Sequence, residues 1–155
     1  MPTLYMLIGI PGSGKSTWIA NQAFDWNNTR IISTDNIIER RAREQGKTYS
    51  EIFQQEIKSA TEQMNAELRQ AIRDKADVVW DQTNLTKKSR APKLAQIPDT
   101  YEKVAVYFST PSDQELKRRL DGRIGKTIPA NVVLAMKSQL ESPAQSEGFD
   151  RVIVA

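Results

Sequence analysis

The hydrophobic residues of this chain fall into short runs, and longer segments with helical spacing of apolar positions separate them. Five runs rich in β-branched or aromatic residues predict buried strands at 4–8, 30–33, 78–80, 104–108 and 151–154. The intervening segments predict helices at 15–23, 87–95, 112–120 and 130–140, with one or two helices across 36–75. Strands and helices therefore alternate along the chain.

This alternation predicts an α/β fold. Near-continuous apolar strands separated by helices indicate a parallel sheet that is covered on both faces. We expect a three-layer P-loop NTPase fold, with a central parallel sheet of about five strands flanked by helices. Because such sheets bind ligands beyond the carboxyl ends of their strands, the residues that follow each strand are the first candidates for function.

The segment that follows the first predicted strand carries the most specific motif. It reads GIPGSGKST, which satisfies the P-loop pattern G-x-x-x-x-G-K-[ST] between a strand and a helix. Its backbone N–H groups are expected to surround the phosphates of ATP, with Lys15 adding a full charge and Ser16 binding Mg²⁺. The predicted nucleotide-binding residues of this loop are Gly9, Pro11, Gly12, Ser13, Gly14, Lys15, Ser16 and Thr17.

The chain has no cysteine and no histidine. Thiol chemistry and thiolate zinc sites are therefore excluded, and a general base has to come from another side chain, for which a carboxylate is the best candidate. Asp35 follows the second predicted strand and is predicted to be this base, although Asp also suits the N-cap of the next helix. Asp81 follows the third strand and either holds a Mg²⁺-bound water or contacts the acceptor, together with Thr83 and Asn84. The alternative role for Asn84 is to orient this loop.

Positive charge is concentrated in two windows, although the net charge is only +3. Window 82–98 has four basic residues and no acidic one, and window 117–126 has five basic residues and one acidic one. These windows indicate contacts to phosphates, or alternatively solvated helix faces. The second window belongs to a lid segment, defined here as residues 113–129, from which Arg119 and Arg123 are expected to reach the phosphates of ATP.

The order of the motifs GIPGSGKSTW, STD, WDQTNL and KRRLDGRIGKTIP resembles the kinase domain of bacteriophage-type 5′-polynucleotide kinase/phosphatase, over nearly the whole chain. The segment from Pro143 to the Glu-Gly-Phe at 147–149 resembles the ending common among these kinases. The resemblance implies ATP-binding roles for Lys15 and Ser16, a general-base role for Asp35 and a phosphate contact from Arg123. It implies only the kinase half of the bifunctional enzyme, because no D-x-D-G-T segment is present.

The chain departs from this family on the acceptor side. The phage member has an arginine three residues after the base, where this chain has Ile38, so Arg40, Arg41 or Arg43 is expected to replace it. Gln82 also stands where the phage member has an aspartate, with Asp81 one residue earlier.

The sequence therefore predicts one P-loop kinase domain over residues 1–155. Its expected reaction is transfer of the γ-phosphate of ATP to the 5′-hydroxyl end of DNA or RNA. A small-molecule kinase, acting on a nucleoside, sugar or other metabolite, and a nucleotide-dependent regulatory ATPase remain as alternatives. We expect a cytoplasmic location without a membrane span, because the first apolar run is too short for a signal peptide or a span.

Overall fold

The structure is a computed structural model that describes all 155 residues. Its centre is a sheet of five parallel strands in the order β2-β3-β1-β4-β5. The strands are β1 (Thr3–Ile8), β2 (Thr29–Ile32), β3 (Asp77–Trp80), β4 (Glu102–Tyr107) and β5 (Arg151–Val154). The predicted α/β class and the parallel sheet are confirmed.

Six α-helices surround this sheet, and none of them combines the length and the apolar character needed to cross a membrane. They are α1 (Lys15–Ala20), α2 (Thr34–Gln45), α3 (Tyr49–Arg73), α4 (Lys87–Leu94), α5 (Asp113–Asp121) and α6 (Ala130–Gln139). A short 3₁₀ turn at Gln145–Glu147 precedes β5. The first helix ends three residues before the predicted position.

The segment predicted as one or two helices forms two, because Gly46 ends α2 with a φ of 66°. Thr48 then begins α3, in a capping box with Glu51. The N-cap of α2 is Ser33, whose hydroxyl accepts a hydrogen bond from the backbone N–H of Asn36 at 3.2 Å. Asp35 is therefore not the cap, and its carboxylate is free for other contacts.

Both faces of the sheet are buried, as its apolar strands predict. On one face, Leu4 and Met6 of β1 pack in the largest apolar cluster with residues of α2 and α3. On the other face, Leu7 packs in a second cluster with Trp18 of α1. The alternation of side chains along β1 therefore covers the sheet with helices on both sides.

A third apolar cluster joins the lid segment to the phosphate loop. Its buried members include Ile10 from the loop, Leu116 from α5 and Val133 from α6. This cluster is separate from the two that cover the sheet. The lid segment therefore packs directly against the glycine-rich loop through apolar contacts.

Arg90 of α4 is completely buried and connects α4 to the loop after β3 and to the segment before β5. Its guanidinium donates two hydrogen bonds to the Glu147 carboxylate, at 2.9 and 3.1 Å, and one each to the carbonyls of Asn84 and Glu141. Burial raises the pKa of Glu147, but the hydrogen bonds from Arg90 and from the Ala144 N–H, together with the charges of Arg90 and Lys87, outweigh it and hold this pKa below its usual value. Phe149, two residues later, is buried in the main core.

These contacts give a physical reason for the Glu-Gly-Phe ending. The glutamate pairs with Arg90, Gly148 adopts a φ of 113°, which glycine reaches without strain, and the phenylalanine fills the core beside β5. Window 82–98 was expected to contact phosphates or to form a solvated helix face, but Arg90 is buried and Lys93 is half-buried and hydrogen-bonded to Gln82 and Asn84.

Replacing Arg90 by Met is expected to reduce the free energy of unfolding by about 3–5 kcal/mol, because Glu147 and two carbonyls lose a buried partner. Urea unfolding followed by circular dichroism measures this loss. The matched control is Arg151→Met, which breaks the more exposed pair with Glu102 and is expected to cost less than about 1 kcal/mol. Equal losses in the two variants would contradict the role of Arg90.

Candidate active site

The parallel sheet brings the phosphate loop and two carboxylates to one edge. In the sheet register, Met6 of β1 and Ile32 of β2 both pair with Trp80 of β3. The loop after β1 and the residues Asp35 and Asp81 after β2 and β3 therefore follow neighbouring strand ends. They line one cavity of about 350 Å³.

The phosphate loop offers unpaired backbone donors. Gly12 and Gly14 have φ values of 82° and 107°, and Gly14 is the N-cap of α1. The backbone N–H groups of Gly14, Lys15 and Ser16 donate no hydrogen bond within the protein. Free N–H groups at the start of a helix form a site for an anion, so the loop fits the phosphates of a nucleotide.

The side chain of Lys15 contacts the backbone of its own loop. Its ammonium donates hydrogen bonds to the carbonyls of Gly9, at 2.8 Å, and Ile10, at 3.0 Å. Burial lowers the pKa of Lys15 to about 8, and the negative charge of Asp81 only partly opposes this effect. Ser13, beside it, has a buried hydroxyl without a hydrogen-bond partner.

Asp35 is held by two side chains from other segments. Its Oδ1 accepts a hydrogen bond from the Tyr49 hydroxyl at 2.7 Å, and its Oδ2 accepts one from the Lys126 ammonium at 2.8 Å. Burial works to raise the pKa of Asp35, but the hydrogen bond and charge of Lys126, with that of Tyr49, hold it below its usual value. Burial and the bond to Asp35 raise the pKa of Tyr49 well above its usual value.

Asp81 differs from Asp35 in its surroundings. No protein group donates a hydrogen bond to its carboxylate, and burial raises its pKa although Lys15 acts in the opposite direction. Two carboxylates on the wall of one cavity thus have pKa values shifted in opposite directions, which is a frequent property of sites that transfer protons.

Two further cavities adjoin the first. One, of about 540 Å³, runs along the outer side of the phosphate loop past Thr17, Trp18 and Arg119. The other, of about 580 Å³, extends from Asp35 along α3 to α6 and has a largely apolar wall. We call it the aromatic groove; its apolar wall consists of Tyr49, Phe53, Ile57, Ile128, Val132 and Met136. Arg123 lines all three cavities.

Most of the residues predicted from the sequence meet around these cavities. The first cavity contains Pro11, Lys15, Ser16, Asp35, Asp81, Thr83 and Arg123, and the outer one contains Gly12, Ser13, Gly14, Thr17 and Arg119. Arg119 also donates a hydrogen bond to the carbonyl of Gly12 at 2.8 Å. Gly9 lies at the base of the loop, where an added Cβ atom would come within 2.9 Å of Phe108.

Three predicted acceptor residues lie elsewhere. Arg41 pairs with Glu56 of α3 at 2.8 Å, and Arg40 is exposed and lines none of these cavities. Asn84 is buried, where it donates to the carbonyl of Leu7 and accepts from Lys93. Asn84 therefore orients the loop after β3 and does not line the cavity.

Sequence reasoning missed Lys126, Tyr49, Phe53 and Glu39 as residues around Asp35 and the aromatic groove. In the sequence, Lys126 is one of the five basic residues of window 117–126, and Tyr49 lies in a segment predicted only as helical. Their contacts with Asp35 join residues that are 91 and 14 positions apart. Such pairings depend on how the lid segment and α3 pack, and no local motif encodes them.

The fold and the phosphate loop define a P-loop nucleotide-binding domain. The chain belongs to the AAA_33 family, described as an AAA domain, whose model matches residues 4–143. Among curated proteins it is similar to the heterogeneous nuclear ribonucleoprotein U-like protein 2 of Mus musculus, at 25% identity over 95% of this chain and 20% of that protein. The chain thus spans about one fifth of the length of the curated relatives that it matches.

Solved structures with the same fold include kinases. A chain of the Pnkp1/Rnl/Hen1 RNA repair complex aligns with a TM-score of 0.69 at 24% identity, over 96% of this chain and 46% of that one. A gluconokinase from Sinorhizobium meliloti 1021 aligns with a TM-score of 0.54 at 20% identity, over 99% and 81% of the two chains. A fungal RNA kinase aligns with a TM-score of 0.54 at 16% identity, over 99% and 38%. The resemblance to polynucleotide kinases is thus confirmed in the fold.

Replacing Lys15 by Met is expected to weaken ATP binding about 10- to 100-fold, because the phosphates lose a charge-assisted hydrogen bond. Isothermal titration calorimetry with ATP measures the change in Kd. Lys58→Met, on the exposed surface of α3, removes the same charge away from the cavities and is the matched control. An ATP Kd within twofold of the wild-type value in Lys15→Met would contradict the assignment.

Proposed function

We propose that this domain is an ATP-dependent kinase that transfers the γ-phosphate of ATP to the 5′-hydroxyl end of a nucleic acid. The observation that carries the proposal is that Asp35 and the cations Lys15 and Arg123 line one cavity, which adjoins the aromatic groove. A nucleotide-binding loop alone is compatible with many reactions. A carboxylate beside it, with room for an acceptor, favours phosphoryl transfer.

The roles of the chain's residues follow from their positions. The loop amides and Lys15 bind the β- and γ-phosphates, while Arg123 stabilises the negative charge that spreads over the transferring group. No group of three or more acidic side chains is placed to hold a metal ion, so Mg²⁺ would rely on Ser16 Oγ, phosphate oxygens and water. When bound, Mg²⁺ neutralises charge on the phosphates.

Asp35 acts on the acceptor. A carboxylate oxygen has two lone pairs, so each oxygen of Asp35 keeps one beside its bond to Tyr49 or Lys126. The hydroxyl proton of the acceptor passes to Asp35 while the hydroxyl oxygen of the acceptor bonds to the γ-phosphorus. The bond from that phosphorus to the β–γ bridging oxygen breaks, and ADP leaves with the electron pair.

The aromatic groove favours an acceptor that carries a planar, apolar group. The ring centroids of Tyr49 and Phe53 lie 5.5 Å apart, and the other apolar residues that line the groove are aliphatic or Met. A nucleobase can stack on such a surface, whereas a sugar acid needs polar and cationic partners. The structural relatives include both RNA kinases and a gluconokinase, so a small-molecule acceptor is the second candidate.

The direct test is incubation with γ-labelled ATP, Mg²⁺ and a 5′-hydroxyl oligonucleotide, as DNA and as RNA. Label is expected on the oligonucleotide, and Asp35→Asn is expected to reduce the rate about 100- to 10,000-fold through loss of the base. Gel electrophoresis of the labelled products measures this transfer.

Three control reactions separate the alternatives. Label on gluconate or on a free nucleoside, but not on an oligonucleotide, would favour the small-molecule kinase. Inorganic phosphate released at the same rate with and without acceptor would favour a regulatory ATPase. Lys58→Met is expected to transfer label at the wild-type rate, since it lies outside the cavities.

Replacing Phe53 by Ala tests the aromatic groove. The KM for a 5′-hydroxyl oligonucleotide is expected to rise about 5- to 100-fold with the KM for ATP unchanged, because one base loses a stacking partner. An oligonucleotide with an abasic 5′ residue is expected to show the same rise on the wild type and no further rise on the variant. Steady-state kinetics on both substrates measure this pattern.

The control for this variant is Trp26→Ala, which removes an exposed aromatic side chain outside the groove. It is expected to leave both KM values unchanged. An equal effect of Phe53→Ala on the intact and the abasic oligonucleotide would show that the ring does not contact the terminal base.

A further inference from the structure

The carboxylate of Asp35 lacks a cation from its own helix. Ile38, one turn later, is fully buried in the main core, and Arg41 is hydrogen-bonded to α3. Arg40 is exposed and forms no ion pair. The cation that contacts Asp35 is instead Lys126, which lies in the lid segment.

The residues on both sides of Lys126 are hydrogen-bonded to α3. The carbonyl of Gly125 accepts a hydrogen bond from the Ser50 N–H at 3.1 Å, and the N–H of Thr127 donates to the Ser50 hydroxyl at 3.2 Å. Gly125 has a φ of 71°, and a Cβ atom there would come within 3.0 Å of Thr48. The backbone around Lys126 is therefore held against the first turn of α3.

The side chain of Lys126 is also enclosed. Its side chain is 15% exposed, and its ammonium lies 4.5 Å from the centre of the Tyr49 ring. The same ammonium contacts Glu39 at 3.4 Å, besides its 2.8 Å contact with Asp35. A cation held by two carboxylates and an aromatic face has little freedom to turn to solvent.

We propose that Lys126 is a positioning residue that, from a lid segment docked on α3, fixes the carboxylate of Asp35 together with Tyr49. This inference rests on the proposed function, in which Asp35 is the general base. Arg123, three residues earlier on the same loop, lines the phosphate cavity. One loop thus contacts the transferring phosphate through Arg123 and orients the base through Lys126.

Several charged and titratable groups lie around Asp35 and influence its pKa. Besides Lys126 and Tyr49, they are Lys15 of the phosphate loop, Glu39 of α2, Asp81 after β3 and Arg123. Lys126 is the only one of the three cations that is hydrogen-bonded to Asp35. Its removal therefore withdraws the main effect that holds the Asp35 pKa down, while Tyr49 stays as the other donor.

The test compares Lys126→Met and Lys126→Arg with the wild type, and Lys58→Met serves as the matched charge control. In Lys126→Met, kcat/KM for the 5′-hydroxyl oligonucleotide is expected to fall about 10- to 100-fold near pH 6. The acidic limb of the pH profile of kcat/KM is expected to move up by about one pH unit in this variant, because a base with a raised pKa loses its active form at higher pH. Lys126→Arg is expected to restore most of the rate and the position of this limb.

A second readout needs no acceptor. Carbon-13 NMR of labelled aspartate carboxyls, assigned with Asp35→Asn, measures the Asp35 pKa in the free protein. This pKa is expected to rise in Lys126→Met and to stay unchanged in Lys58→Met.

The outcomes are distinct. A shifted Asp35 pKa together with a shifted rate profile supports the inference. An unchanged pKa and profile in Lys126→Met, or a faster reaction than the wild type, would overturn it, since Lys126 would then be a passive or restraining contact. A raised Asp35 pKa in Lys126→Met, combined with a wild-type protein that labels no oligonucleotide, would support the effect of Lys126 on Asp35 and refute the proposed acceptor.

Discussion

The parallel pairing of β1 with β3, and of β3 with β2, is the constraint on which the site depends. In a parallel sheet all carboxyl ends face one edge, so chain segments that are far apart in sequence leave the sheet side by side. The glycine-rich loop, Asp35 and Asp81 share a cavity for this reason. The helices add a second condition, since the apolar cluster around Ile10 holds α5 and α6 next to the loop.

Several basic residues within the protein are paired individually with acidic or polar side chains. Arg90 is paired with Glu147, Lys126 with Asp35, and Lys93 is hydrogen-bonded to Gln82 and Asn84. Burial lowers the pKa of Lys93 to about 8, so these contacts hold an ammonium in a poorly solvated place. Part of the positive charge that the sequence concentrates in two windows is therefore used in contacts that hold the fold together.

The fold was predictable because its information is local and periodic. Five apolar runs and the spacing of apolar positions in the helices each indicate a structure within a few residues. The phosphate loop was predictable for the same reason, since one continuous motif contains it. The surroundings of Asp35 were not, because Tyr49 and Lys126 reach it through packing between α2, α3 and the lid segment. Arg40 and Arg41 were expected there from chain proximity, yet helix geometry directs Arg41 to α3.

The hydrogen bonds from Lys15 to the carbonyls of Gly9 and Ile10 have a consequence for the cost of ligand capture. They brace the loop in a curled shape with its own side chain, so an arriving polyphosphate meets donors that are already oriented. Little conformational entropy then remains to be lost on association, which leaves more of the contact energy for affinity. On binding in the proposed manner, the Lys15 ammonium would exchange two neutral carbonyl partners for anionic oxygens.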